Sequence, residues 1–195
     1  MLNVIDKICK NKDLVSLYAN SEDSSKFCYG RFLNFDNENF LFLMITPDGK
    51  YDGLLVKSIN DIIRINKNDC YDERMQKLLC LEDMEDLFLK LDKSNDVLKF
   101  SLLMSQINKK IVSIELNHSG TDDVVGFVNM MSDTICEIKQ IDFYGRSDGV
   151  AYVKIDEISQ VSLDSSAEQI LLKLFEKNES GTATDDPDQG TILNY

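Results

Sequence analysis

Apolar residues along this chain concentrate in short segments, and polar clusters that contain Gly, Asn and Asp separate these segments. Five such segments, rich in Val, Ile, Leu, Phe and Tyr, cover 14–20, 27–35, 39–46, 53–58 and 62–66. Five more cover 111–117, 124–131, 135–142, 149–155 and 158–163 in the same order. Short segments rich in these residues and bounded by turn-forming residues are typical of β-strands. The sequence therefore predicts ten short strands in two sets of five.

Apolar residues at helical spacing precede and follow each set of strands. Before the strands they are Val4, Ile5 and Ile8, and in the second set Val97, Phe100, Leu103, Met104 and Ile107. After the strands they are Met75, Leu78 and Leu79, and in the second set Ile170, Leu171, Leu174 and Phe175. A further helix with one apolar face is predicted from Leu81 to Leu91. Each set of strands is thus expected to lie between helices.

The two halves of the chain repeat each other at an offset of 96 positions. Between 45 and 65 the residues that recur unchanged are Ile45, Gly49, Asp52, Gly53, Ile59 and Ile62. Agreement of glycines, aspartates and apolar positions over an ungapped stretch predicts a tandem duplication. We place the first unit at 1–91, the second at 92–178 and a disordered acidic tail at 179–195, because that tail has almost nothing to bury.

The second predicted strand and the turn after it carry a family resemblance. Residues 30–43 read Gly-Arg-Phe-Leu-Asn-Phe-Asp-Asn-Glu-Asn-Phe-Leu-Phe-Leu, with an aromatic-Asp pair before the turn and an asparagine before alternating apolar residues. This run resembles the first motif of Sm-like proteins. The resemblance implies a mainly β fold with helices, built as a tandem duplication of a small five-stranded Sm-like barrel flanked by helices. It also implies that the loop after the second strand binds a nucleotide base.

Charge narrows the classes of partner. The formal net charge is −13, and each of the three predicted segments is acidic. Because affinity for phosphate backbones and anionic membranes comes largely from Lys and Arg, this acidity counts against both partners. No apolar run is long enough to span a membrane or to resemble a secretion signal, and the five cysteines form no C-x-x-C pair. We therefore expect a soluble protein of the reducing cytoplasm.

Candidate catalytic and metal-binding residues are few. The only histidine, His118, lies in a predicted loop, and the first half has no equivalent histidine. A solvated loop histidine is favoured over a general base. The acidic residues Glu82, Asp83, Glu85 and Asp86 lack the spacing of a calcium loop, which favours a solvated helix face. We therefore expect no catalytic residue, no metal and no cofactor.

One polar motif, Gly-[Lys/Arg]-x-Asp-Gly, occurs in both halves. Its residues are Gly49, Lys50, Asp52 and Gly53, and again Gly145, Arg146, Asp148 and Gly149. Glycines and aspartates at this spacing are typical of hairpin turns, which is the favoured interpretation. The alternative interpretation is that Lys50 and Arg146, held on rigid hairpins, contact an anionic group of a partner. These eight residues are the predicted binding site.

The motifs and the charge together favour a non-catalytic interaction module that uses two tandem small barrels to bind a protein partner in a composite groove. The alternative is binding of RNA or single-stranded nucleic acid through Sm-like loops, which the acidity disfavours. An enzyme acting in a groove between the two halves ranks third.

Overall fold

The computed structural model of the chain describes residues 1–20, 23–79 and 96–182. In the first half, helix α1 (Leu2–Asn11) precedes strands β1 (Val15–Tyr18), β2 (Cys28–Phe35), β3 (Asn39–Ile45), β4 (Tyr51–Ser58) and β5 (Arg64–Asn66), and α2 (Cys70–Gln76) follows them. In the second half, α3 (Val97–Ile107) precedes β6 (Ile111–Leu116), β7 (Val124–Met131), β8 (Ile135–Ile141), β9 (Ser147–Lys154) and β10 (Ile158–Leu163), and α4 (Ser166–Thr182) follows them. A 3-10 turn precedes β5 at Ile59–Asp61 and β10 at Ile155–Glu157. We call α1 to α2 the first module and α3 to α4 the second module.

All ten predicted strands form at the expected places, and they join into one antiparallel sheet. The order across the sheet is β5-β1-β2-β3-β4-β10-β6-β7-β8-β9. Each module therefore has the same internal order, with its fifth strand beside its first. The two modules meet where β4 pairs with β10, and we call this pairing the seam. The fold is mainly β with four helices in the described ranges.

The strand pairing does not show the two closed barrels that the sequence predicts. Closure of a module into a barrel by its own strands would need its fourth strand to pair with its fifth. Instead β4 pairs with β10 of the other module, and in the described ranges the sheet ends at β5 on one side and at β9 on the other. Since a strand has only two hydrogen-bonding edges, β4 is fully used by β3 and β10. The sheet is consequently continuous and open.

The duplication extends to strand register and irregularities. A bulge between Phe32 and Asn34 in β2 has its equivalent between Val128 and Met130 in β7. A second irregularity, after Leu43 in β3, has its equivalent after Lys139 in β8. Bulges bend a strand and fix its register, so the two modules curve in the same way at the same positions.

Three apolar clusters form the core. One lies in the first module and joins buried residues of α1 to residues of β1–β4 such as Leu17 and Phe42. A smaller one joins β2 and β3 to Met75 of α2. The largest crosses the seam, because Leu41 and Val56 of the first module pack with residues of α3, β6 and β10 such as Leu102. The two modules therefore share a core.

The predicted apolar stripes after the fifth strands are only partly buried. Helix α2 ends at Gln76, so Leu78 and Leu79 follow it in a turn. Met75 is fully buried, but Leu78 and Leu174 are each more than one third exposed. The described residues therefore cover these two stripe residues only partly. The buried residues of α2 are Asp72 and Met75.

Other predictions fall partly or wholly outside the described residues. The Leu81–Leu91 helix and its acidic residues, the module boundary at 91/92 and the tail from 183 to 195 lie outside them. Helix α4 runs to Thr182, so the predicted tail begins within the last turns of this helix. Each added helical residue gains a backbone hydrogen bond, which carries a formed helix into polar sequence. No helix in the described ranges is long and apolar enough to cross a membrane.

Candidate functional site

Both copies of the glycine motif form hairpins with the same hydrogen bonds. In the first, Thr46 N donates to Lys50 O at 2.8 Å and Gly49 N donates to Thr46 O at 2.9 Å. In the second, Asp142 N donates to Arg146 O and Gly145 N donates to Asp142 O at the same two distances. This geometry agrees with the interpretation of the motif as a hairpin turn.

The two cations of the motif pair within their own turns. Lys50 Nζ lies 2.6 Å from Asp48 Oδ2, and Arg146 Nε donates to Asp142 Oδ2 at 2.8 Å. Hydrogen bonding by Lys50 lowers the pKa of Asp48 to about 2. Backbone and side-chain hydrogen bonds from Arg146 lower the pKa of Asp142. Each cation has a carboxylate beside it, so a contact with an anionic partner would compete with that carboxylate.

The first glycine of each motif lies against the segment that follows the module's last strand. A Cβ at Gly49 would stand 2.8 Å from the carbonyl oxygen of Leu78, and a Cβ at Gly145 would stand 2.6 Å from Leu174 Cβ. Leu78 and Leu174 are equivalent positions of the repeat. These glycines therefore allow the hairpins to pack under the C-terminal part of each module.

The last two residues of the first motif belong to the seam. Asp52 Oδ1 accepts hydrogen bonds from the backbone N and the hydroxyl of Ser166, at 3.3 and 3.1 Å, at the start of α4. Gly53 has φ +87°, and a Cβ there would stand 2.5 Å from both Leu163 O and Ser165 N. A positive φ and a backbone at this distance require glycine. Asp52 and Gly53 thus hold the second module against the first.

The equivalent residues of the second motif lie at the end of the sheet. Asp148 and Gly149 begin β9, and both are exposed. Gly149 has φ +84°, almost the same as Gly53, but no heavy atom lies within 4 Å of a Cβ built there, apart from its chain neighbours. The motif therefore recurs with the same backbone conformation, but in the second module no described residue covers it.

Equivalent side chains on β4 and β9 differ in exposure in the same way. Val56 on β4 is 1% exposed because it pairs with Val161 across the seam. Its equivalent on β9, Tyr152, is 71% exposed, and Val150 beside it is 48% exposed. Apolar side chains thus continue along β9 where the described residues provide nothing to bury them.

A polar cluster that the sequence did not predict lies at the seam. Lys57, which is nearly buried, donates from Nζ to Gln160 Oε1 at 3.3 Å and lies 3.9 Å from Asp61 Oδ2. His118 Nδ1 lies 3.9 Å from the same oxygen, which accepts no hydrogen bond from the described residues. Burial raises the pKa of Asp61. No sequence pattern joined these residues, since contact between the modules brings Gln160 beside Lys57 and His118 beside Asp61.

Two cavities border the seam. One, of about 690 Å³, lies beside the first module and is lined by apolar residues such as Phe27 and Tyr71 together with Lys57 and Gln160. The other, of about 680 Å³, is mostly polar and is lined by residues from both modules, including Asn39 and His118. The described residues contain no group of three His, Cys, Asp or Glu side chains placed to hold a metal ion.

The turn after β2, where the resemblance places base binding, is occupied by internal hydrogen bonds. Asp36 Oδ1 accepts from the backbone N of Glu38 and of Asn39, each at 2.7 Å. Asp36 Oδ2 accepts from Val97 N, at the start of α3, at 2.6 Å. The carboxylate of this turn thus anchors the first helix of the second module.

Comparisons with known proteins give no relative from which a function could be transferred. No family model matches the chain, and no match is found among curated proteins or among solved structures.

Proposed function

We propose that this chain is a non-catalytic interaction module that binds a protein partner by strand addition along β9. The observation that carries the proposal is the contrast between Gly53 and Gly149. The two glycines share one backbone conformation, but only Gly53 is covered, and a strand of the second module covers it.

The chemistry of β9 suits strand addition. An edge strand presents unpaired backbone N–H and C=O groups, which an incoming strand satisfies with main-chain hydrogen bonds. Proteins commonly protect such edges with proline or with charges along the strand. Residues 149–153 of β9 contain neither, and Val150 and Tyr152 offer apolar contacts to an incoming strand.

We also infer that each module is an open form of the Sm-like barrel. The motif at 30–43 and the bulge in β2 within it support this inference. A protein partner is favoured over nucleic acid for two reasons. The net charge is −13, and the Asp36 carboxylate already holds the start of α3.

The test compares the proteins bound by three forms of the full chain in extracts of its native cell. The forms are the wild type, Tyr152→Glu on β9 and Tyr144→Glu on the adjacent hairpin. Both tyrosines are exposed, so neither change should alter stability by more than about 0.5 kcal/mol. We expect a bound protein that the wild type and Tyr144→Glu retain and Tyr152→Glu loses. Binding that Tyr152→Glu leaves intact, or bound material that is only nucleic acid, would refute the proposal.

A further inference from the structure

We infer that the strand added to β9 is β5 of a second copy of this chain, so that copies associate head to tail. The inference rests on the proposed function of β9 and names its partner. The seam provides the model for this contact. Within one chain, the fifth strand of the second module already pairs with the fourth strand of the first.

The seam defines the expected register. It pairs Leu54 with Leu163, Leu55 with Ser162, Val56 with Val161 and Lys57 with Gln160. Applying the offset of 96 positions to each strand gives the contact between two copies. Val150, Ala151, Tyr152 and Val153 of one copy then face Lys67, Asn66, Ile65 and Arg64 of the other.

Strand β5 is available for this pairing. It pairs with β1 on one side, as β10 pairs with β6, and it ends the sheet on the other side in the described ranges. Ile65 is only partly buried, whereas its equivalent Val161 is fully buried in the seam. The two ends of the sheet, β5 and β9, are therefore equivalent to the two strands that pair in the seam, β10 and β4.

The helices that precede the strands of the two modules, α1 and α3, also differ in how far they are covered. Helix α3 packs across the seam onto β3 and β4, which helps to bury Leu98 and Ser101. The first strands of the two modules align at an offset of 97, because Val15-Ser16-Leu17 corresponds to Val112-Ser113-Ile114. At this offset the equivalents of Leu98 and Ser101 are Met1 and Val4, at the start of the first module, and both are about half exposed. A second copy would cover them with β8 and β9, just as β3 and β4 cover α3.

This contact joins two different surfaces of the chain. Such a heterologous contact repeats from copy to copy, and it gives a ring where the rotation closes and an open row of copies where it does not. The assembly also removes both free edges of the sheet, except at the ends of an open row.

The first test measures sedimentation of the full chain over a range of concentrations. We expect the wild type to form species larger than the 22.3 kDa monomer. Gly149→Ala should remain monomeric, because its methyl group would meet the backbone of Lys67 and Asp69 of the incoming copy, as a Cβ at Gly53 would meet Leu163 and Ser165. Tyr144→Glu, on the exposed hairpin of the same module, is the matched control and should assemble like the wild type.

The second test checks register by disulfide formation between two differently labelled chains, both carrying Cys70→Ser and Cys80→Ser. Residues directly opposite in antiparallel strands have Cα atoms about 4.5–5.5 Å apart, which suits a disulfide. A mixture of Tyr152→Cys and Ile65→Cys should give a mixed dimer. Tyr152→Cys mixed with Arg64→Cys, whose side chain lies on the opposite face of β5, should not.

A chain that is monomeric at its highest soluble concentration would overturn the inference, and so would assembly that Gly149→Ala leaves unchanged. The two proposals can fail separately. If the chain is monomeric but Tyr152→Glu abolishes capture of a different protein, the inference fails and the proposed function stands. If capture does not depend on Tyr152, the proposed function fails as well.

Discussion

The buried hydroxyl of Tyr29 donates a hydrogen bond of 2.6 Å to the carboxylate of Asp72, which lies 43 positions later in the chain. The second module has an equivalent arrangement, because Glu168 accepts a 2.6 Å hydrogen bond from the hydroxyl of Ser113. Each carboxylate also accepts a backbone N–H just before its helix, from Asn68 and from Ser165 respectively. A buried acid thus ties the last helix of each module to its sheet.

Replacing Tyr29 with Phe should lower the free energy of unfolding by about 1–3 kcal/mol, because the Asp72 carboxylate loses a buried donor. Urea unfolding followed by circular dichroism measures this change. Tyr144→Phe, at an exposed ring, serves as the control and should leave the free energy within about 0.5 kcal/mol of wild type. Equal midpoints for Tyr29→Phe and wild type would contradict this role of the hydrogen bond.

The folded chain should lose stability in alkaline solution. Burial, aided by the hydrogen bond to Asp72, raises the pKa of Tyr29 above its ordinary value of 10.0, and burial also raises the pKa of Tyr51. Above pH 10 the unfolded chain releases phenolic protons that the folded chain keeps. The unfolded state then binds fewer protons, so the free energy of unfolding falls as pH rises, with no effect of these groups at neutral pH.

This alkaline decline can be assigned with the Tyr29→Phe variant. Denaturant unfolding measured at increasing pH above 9 should give a shallower decline for Tyr29→Phe than for wild type. Parallel declines for the two proteins would show that Tyr29 does not contribute to it.

Gly53→Ala should be much more destabilising than Gly149→Ala. The first change places a methyl group 2.5 Å from backbone atoms of Leu163 and Ser165, and we expect a loss of more than about 3 kcal/mol. The second incurs only the strain of a positive φ, about 1–2 kcal/mol. Thermal or urea unfolding of dilute samples separates the two. Equal losses would mean that the backbone of Leu163 and Ser165 does not lie close to Gly53.

The thiols should react in the order of their exposure. Cys70 is exposed, whereas Cys136 is buried and burial raises its pKa to about 11. In a Cys80→Ser background, a thiol reagent should modify Cys70 rapidly and Cys136 only after unfolding, because the thiolate is the reactive form. Cys70→Ser should remove the fast phase. Rapid labelling of Cys136 in the folded chain, located by mass spectrometry, would contradict its burial.

Duplex DNA should bind weakly or not at all at physiological salt. The net charge of −13 leaves little positive charge to displace counterions from phosphates. A fluorescence anisotropy titration with random-sequence duplex tests this, and lowering the salt should change little. Submicromolar binding that weakens steeply with salt would contradict the prediction.

The sequence was sufficient to place the strands but not to arrange them into a sheet. The short apolar run from Phe40 to Ile45, bounded by Asn and Asp residues on both sides, identifies β3 because buried strands are rich in such residues. The pairing of Val56 with Val161 was not predicted, because two apolar strands carry no local signal about which edge each will use. The hairpin motif was found from its repetition, but the different surroundings of Gly53 and Gly149 depend on the seam, which only the structure shows.

The seam also places a constraint on synthesis of the chain. Lys57 and Gln160 are neighbours at the centre of the sheet but lie 103 positions apart, and β10 follows the other nine described strands in the sequence. Until β10 emerges, β4 and β6 both have an unpaired edge, and Val56 and Leu41 lack their partners across the seam. A nascent chain that stops before Ile158 therefore presents two more open edges than the folded sheet, which favours aggregation until β10 is made.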